Sequence, residues 1–158
     1  MKNNIPEDIV VGTAQAKVTQ APTRLKALGV GSCIVITLYD PVLKVGAMAH
    51  TMLPDSTKSG PVSNPFKFAD SAIDAVIRKM ESLGSRKQDM KAKIVGGANM
   101  FPSLGHESLQ TGEENAAAVK EKLRKEGIPL TGEVVGGSVG RSVEFNTASG
   151  IVTVRIKI

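Results

Sequence analysis

Apolar positions along the chain change period as it proceeds. From Ile34 to Tyr39 they run almost without interruption and are rich in β-branched residues, with Gly-Ser before and Asp-Pro after, which predicts a buried strand. Ile9 to Val18 holds a shorter apolar run, and Val45 to Met52 a small, apolar one; both read as strands. Asp40-Pro41 predicts a turn between the Ile34–Tyr39 and Val45–Met52 runs, because proline presets the backbone angle that the turn requires. Leu53 to Pro65, with three prolines among Ser, Thr, Gly and Asp, reads as a surface loop. The period then lengthens. Ala69, Ala72, Ile73, Val76, Ile77, Met80 and Leu83 recur at three- and four-residue steps, the apolar face of a helix. Asn64 is expected to cap it, with Pro65 in the first helical position and Gly84 as its left-handed stop.

A second helix is predicted from Gly112 to Glu126, with Ala116, Val119 and Leu123 as its apolar face. Thr111 and Glu114 fit a capping box, and Gly127 ends the helix. Between the helices, Lys93 to Val95 reads as a short strand running into Gly96-Gly97. At the end of the chain, Ser142 to Phe145, a turn at Asn146 to Gly150 and Ile151 to Ile158 predict a hairpin. Val152, Val154, Ile156 and Ile158 alternate there with Thr153, Arg155 and Lys157, as on a half-buried strand. Strands at both ends and two helices between them give an α+β class, a sheet core with helices on one side. Gly96-Gly97 and Gly136-Gly137 have two readings: tight turns at strand ends, or places where the backbone approaches an inserted side chain or partner loop.

Composition narrows the function. The 158 residues suit one domain spanning 1–158, and no apolar run approaches the roughly 20 residues of a membrane span. The N-terminal Met-Lys-Asn-Asn-Ile-Pro-Glu-Asp carries no apolar signal core. One cysteine excludes an internal disulfide framework and, with two histidines, a Cys/His zinc finger. A reducing, cytoplasmic location is expected. The net charge of +5 raises the question of nucleic acid, but the chain has no Trp, one Tyr and four Phe, so stacking platforms are scarce. Its densest basic cluster, Arg86-Lys87 with Lys91 and Lys93, reads as a solvated face, and the excess charge as an aid to docking an acidic protein. His106, beside Gly105, reads as a surface loop residue.

Chemistry concentrates in Gly29-Val30-Gly31-Ser32-Cys33 and His50. If Pro41 to Lys44 form a four-residue hairpin loop and Asp40 pairs with Val45, then Val35 lies opposite His50 and Cys33 opposite Met52. Cys33 and His50 then become diagonal neighbours on one face, at about 7–8 Å between backbones. A slip of one residue would put them on opposite faces. A lone cysteine in an apolar stretch is commonly an inert core residue. Beside a histidine it is also a nucleophile: an imidazolium lowers the thiol pKa, and the imidazole can protonate a leaving amine and then activate water. Glycines before the cysteine permit tight backbone geometry, and N–H groups near Gly31 and Ser32 can stabilise an oxyanion.

These blocks, Leu28-Gly29-Val30-Gly31-Ser32-Cys33, Tyr39-Asp40-Pro41 and Gly46-Ala47-Met48-Ala49-His50-Thr51-Met52-Leu53-Pro54, resemble the CheD family of chemoreceptor glutamine deamidases. The resemblance continues through Lys67-Phe68-Ala69-Asp70, Lys93 to Phe101, Gly112 with Asn115, and Gly136-Gly137 with Gly140-Arg141. It implies a layered α/β/β sandwich with mixed sheets and two main helices on one side. It implies hydrolysis of particular glutamine side chains on methyl-accepting chemotaxis receptors, with Cys33 as nucleophile and His50 as acid and base. No metal or organic cofactor is implied; the receptors' cytoplasmic domains and the phosphatase CheC are the implied partners. A non-catalytic CheC-binding adaptor is the alternative. The family usually places a Thr that orients the histidine where this chain has Ala27, whose backbone carbonyl alone remains to do that work. Val134 likewise stands where many relatives carry Asp.

Overall fold

The structure, a computed structural model, describes residues 5–58, 60–100 and 106–156. The chain runs β1 (Glu7–Val10), β2 (Gln15–Gln20), β3 (Thr23–Val30), β4 (Ile34–Asp40), β5 (Val45–Thr51), α1 (Ala69–Ser82), β6 (Lys91–Gly96), α2 (His106–Glu126), β7 (Leu130–Val135), β8 (Arg141–Asn146) and β9 (Val152–Ile156). The strands form two sheets, one in the order β1-β3-β8-β9 and one in the order β2-β5-β4-β6-β7. Each sheet is mixed: β1 runs parallel to β3 and β6 parallel to β7, and the other neighbours are antiparallel. Both helices pack on the five-stranded sheet. The expected α/β/β layering is what the chain adopts.

Two apolar cores follow from this layering. Ile34, Ile36 and Leu38 of β4 and Val45, Ala47 and Ala49 of β5 face the helices, meeting Ile73, Val76, Ile77 and Met80 of α1 and Val119 and Leu123 of α2. The alternate residues Val35 and Met48 turn to the other sheet and pack with Leu25, Ala27, Val30, Val143 and Phe145. Sandwiched between a sheet and a helix layer, β4 is buried on both faces. Its sequence therefore reads as a continuous apolar run and not as an alternating one.

The strand predicted over Ile9 to Val18 is two strands, β1 and β2, which belong to different sheets. Two strands that apolar runs did not announce, β3 and β7, complete the sheets. At the other end, Val152 and Val154 are half-buried as expected, but Ile151 and Ile156 are exposed, and residues 157 and 158 lie outside those described.

Helix ends also differ in part. Asn64 caps not α1 but a single 3-10 turn at Pro65–Lys67, its side chain accepting from the Phe66 N–H, and α1 begins at Ala69 after an extended Phe68. The expected stops hold: Gly84 and Gly127 have φ of +97° and +72°. Thr111 and Glu114 form no N-terminal box, because α2 starts at His106, six residues before the predicted Gly112. Gly112 is interior and marks a close approach. A Cβ there would lie 2.6 Å from the Gly97 carbonyl oxygen and 2.8 Å from that of Ala98. A glycine kept for contact reads, in sequence, as a glycine that ends a helix. His106 correspondingly opens α2 and does not sit in a loop. Among the described residues no helix is long and apolar enough to cross a membrane.

Candidate active site

The β4–β5 hairpin has the register expected from its turn. Asp40 pairs with Val45, Val35 with His50, and the ladder ends at Ile34 opposite Thr51. Asp40 fixes the turn through one carboxylate oxygen, which accepts from the Val42 and Leu43 N–H groups, while the other accepts from the Ser85 hydroxyl at 2.6 Å. Cys33 follows the Gly29–Ser32 segment immediately before β4 and packs, half-buried, against the core between the sheets. His50 is buried at the far end of the hairpin on β5. Its Nδ1 lies 3.2 Å from the carbonyl oxygen of Val11, in the turn between β1 and β2. A carbonyl only accepts, so Nδ1 carries the proton in this bond and Nε2 is left as the basic nitrogen.

The carbonyl meeting His50 is thus that of Val11, not Ala27. Ala27 is wholly buried in β3 opposite Val143. Electrostatics depart from expectation as well. Burial pushes the Cys33 thiol up from its ordinary pKa, and its own backbone N–H opposes this more weakly. Burial likewise pushes His50 down, against the smaller effect of the Val11 contact. Both shifts run against a lowered thiol pKa and have one cause, since an apolar setting penalises the charged form of each.

The Gly31–Cys33 segment is held through its carbonyls. Gly31 O accepts from the Ala98 N–H at 2.9 Å and Cys33 O from the Gly97 N–H at 2.8 Å. Ser32 O accepts from Asn115 Nδ2 of α2, again at 2.9 Å. The glycine pair after β6 makes this possible. Gly96 has φ of +125°, and a Cβ there would stand 2.2 Å from Cys33 O. Gly97 has φ of +63°. Gly136 and Gly137, at +83° and +74°, turn the chain just after β7. Both pairs are therefore strand-end turns, and the first also lets the backbone pass close to Cys33.

Asn115 has no counterpart among the catalytic candidates read from sequence. It is wholly buried and also donates Nδ2 to Met52 O at 2.9 Å, so one amide joins the cysteine turn to the end of β5. Its Oδ1 is buried with no hydrogen-bond partner among the described residues. Among the described residues no group of three or more His, Cys, Asp or Glu side chains clusters as metal ligands would.

Comparison with known proteins bears on this arrangement. A family model described as CheD chemotactic sensory transduction matches residues 52–156. A protein of Clostridium botulinum (strain Hall) named probable chemoreceptor glutamine deamidase CheD is 46% identical over 151 residues, covering 94% of this chain and 93% of that protein. A protein of the same name from Clostridium novyi (strain NT) is 45% identical over the same length, with the same coverage. The family model begins after Cys33 and His50, but the pairwise matches cover too much of the chain to leave either residue outside.

Proposed function

The chain belongs to the CheD family, and from that premise we propose that it is a protein-glutamine deamidase. Its substrates are glutamine side chains of chemoreceptors, as the names of its relatives say of them. The observation that supports this assignment of residues is the Val35–His50 register: His50 lies on the face of Val35, and Cys33, just before β4, packs against the core on that same face.

The chemistry balances with these two groups and water. His50 Nε2 takes the Cys33 proton as sulfur attacks the carboxamide carbon. N–H groups of the Gly31–Cys33 segment, Ser32 included, stabilise the tetrahedral oxyanion. The C–N bond breaks as His50 returns the proton to nitrogen, and ammonia leaves. His50 then deprotonates water, which attacks the thioester, and glutamate departs as the thiol is restored. No step calls for a metal or an organic cofactor. With burial pushing the thiol pKa up and the imidazole pKa down, the proton moves to His50 during attack.

Receptor cytoplasmic domains are the proposed substrates, and a cytoplasmic location goes with them. Regulation of the CheC phosphatase rests on the family resemblance alone. Mass spectrometry of a receptor cytoplasmic fragment tests the reading: an amide-to-acid mass gain at particular glutamines is expected with the wild type and not with Cys33→Ala. A gain that survives Cys33→Ala would remove the cysteine from the mechanism. No gain with either protein, alongside retained binding of CheC, would make the chain the non-catalytic adaptor.

A further inference from the structure

Of the three carbonyls that pin the cysteine turn, those of Gly31 and Cys33 accept from backbone N–H groups. The middle one, Ser32 O, depends on a side chain, that of Asn115. This is the carbonyl of the peptide whose N–H belongs to Cys33. The bond is trans, the cis peptide among the described residues being Ala21-Pro22, and in a trans peptide C=O and N–H point in opposite directions. Drawing Ser32 O toward α2 therefore turns the Cys33 N–H away from the helix.

The same amide group takes the next rung of the hairpin. Register would set Cys33 opposite Met52, but the backbone ladder stops at Ile34–Thr51, and Asn115 Nδ2 donates to Met52 O beyond it. Two carbonyls can be served only by N–H donors, which fixes the amide's orientation and leaves Oδ1 as the unpartnered buried oxygen. Both donors are committed to the two strand ends that carry Cys33 and His50, while the acceptor goes unmet.

We infer that Asn115 is a positioning residue: it holds the Ser32–Cys33 peptide so that the Cys33 N–H meets the oxyanion that forms on the glutamine carbonyl. This rests on the cysteine-nucleophile reading above. Replacing the amide frees the peptide to rotate and misaims the donor, without removing the thiol or the surface that binds the receptor.

The test compares wild type, Asn115→Asp and Cys33→Ala on the receptor fragment, with iodoacetamide alkylation of Cys33 measured in parallel. Alkylation forms no oxyanion. Asn115→Asp is expected to lower kcat by about 10- to 100-fold with KM and the alkylation rate little changed. Full kcat in a folded Asn115→Asp protein overturns the inference, as does an alkylation rate that falls in proportion to kcat, which would place the effect on the thiol itself. Should Asn115→Asp show no cooperative melting, Asn115→Ala is read by the same criteria. Activity retained by Cys33→Ala would mark the failure of the underlying reading; an inactive Cys33→Ala beside a fully active Asn115 variant marks the failure of this inference alone.

Discussion

The carbonyl oxygen of Val11 meets Nδ1 of His50 at 3.2 Å, across 39 residues of chain. An orienting acceptor for a catalytic histidine is usually sought in a side chain. Here the turn between β1 and β2 supplies it from the backbone, which no side-chain substitution can delete. With the ring fixed this way, Nε2 is the nitrogen that the proposed mechanism uses to take and return protons.

Activity should accordingly follow the neutral imidazole. His50 is held below its ordinary pKa near 6.5 and the thiol above its usual value near 9.0. Both are neutral between, so kcat/KM should rise from acid and level off by about pH 7. The acid limb belongs to His50. A preformed thiolate–imidazolium pair would reverse the assignment, with the thiol titrating on the acid side. NMR titration of His50, together with the ultraviolet absorbance of the thiolate, separates the two. Stability has the same sign: the unfolded chain takes up the histidine proton near pH 6.5, the native chain only at lower pH, so stability should fall on acidification through that window.

Restoring the family's threonine should do little for catalysis. Ala27 is wholly buried among Leu25, Val30, Val143 and Phe145, and His50 already has its acceptor in Val11. Ala27→Thr is expected to change kcat by less than about threefold while lowering stability by about 1–3 kcal/mol, for a hydroxyl and a methyl forced into a packed core. Deamidation kinetics and a denaturant midpoint check it. A large gain in kcat would show that the Val11 contact does not suffice.

Legibility in the sequence followed locality. The β4–β5 register could be read because an Asp-Pro turn fixes the loop length and β4 is an uninterrupted apolar run. The face of α1 could be read because its period lies within one element. By contrast, β7 is an edge strand of Leu130–Val135 whose parallel partner, β6, comes earlier with all of α2 between. Its exposed Thr131, Glu133 and Val134 give no apolar run. Asn115 reaches Ser32 and Met52 across 83 and 63 residues, and Val11 reaches His50 only once two sheets have formed. Local patterns do not encode such contacts. The direction in which burial shifts Cys33 and His50 was hidden for a related reason: it depends on how deeply the finished sandwich buries them.

Two glycines with φ in the same half of the map should respond differently to alanine. Gly96 has φ of +125°, and its new Cβ would fall 2.2 Å from Cys33 O and 2.9 Å from Val30 Cγ1. Gly136, with φ of +83°, has nothing within 4 Å. Gly136→Ala should cost about 1–2 kcal/mol, the strain of a left-handed alanine. Gly96→Ala should cost about 3 kcal/mol or more and displace the cysteine turn, abolishing activity. Equal losses in denaturant unfolding would mean that the Gly96–Cys33 approach relaxes easily.

Arg141 ties the far side of the site together. It is buried, and its guanidinium donates to the carbonyl oxygens of Val134, Gly136 and Val139, so one planar group organises the turn that holds Gly136 and Gly137. That turn continues toward the active site, because Gly137 O accepts from the Asn99 N–H at 2.8 Å and Met100 next to it packs on Gly31. Arg141→Met keeps much of the apolar stem but leaves three carbonyls without their donor. It should cost about 2–4 kcal/mol, at 1.5–3 kcal/mol for a charged hydrogen bond partly replaced by water. Arg141→Lys should recover little, because an ammonium is a point charge on a flexible stem and cannot span three acceptors placed around a plane. Denaturant midpoints give the stability, and kcat on the receptor fragment reports whether slack in the turn reaches Gly31. A stable Arg141→Met protein with full kcat would show that the turn holds its shape through its glycines alone.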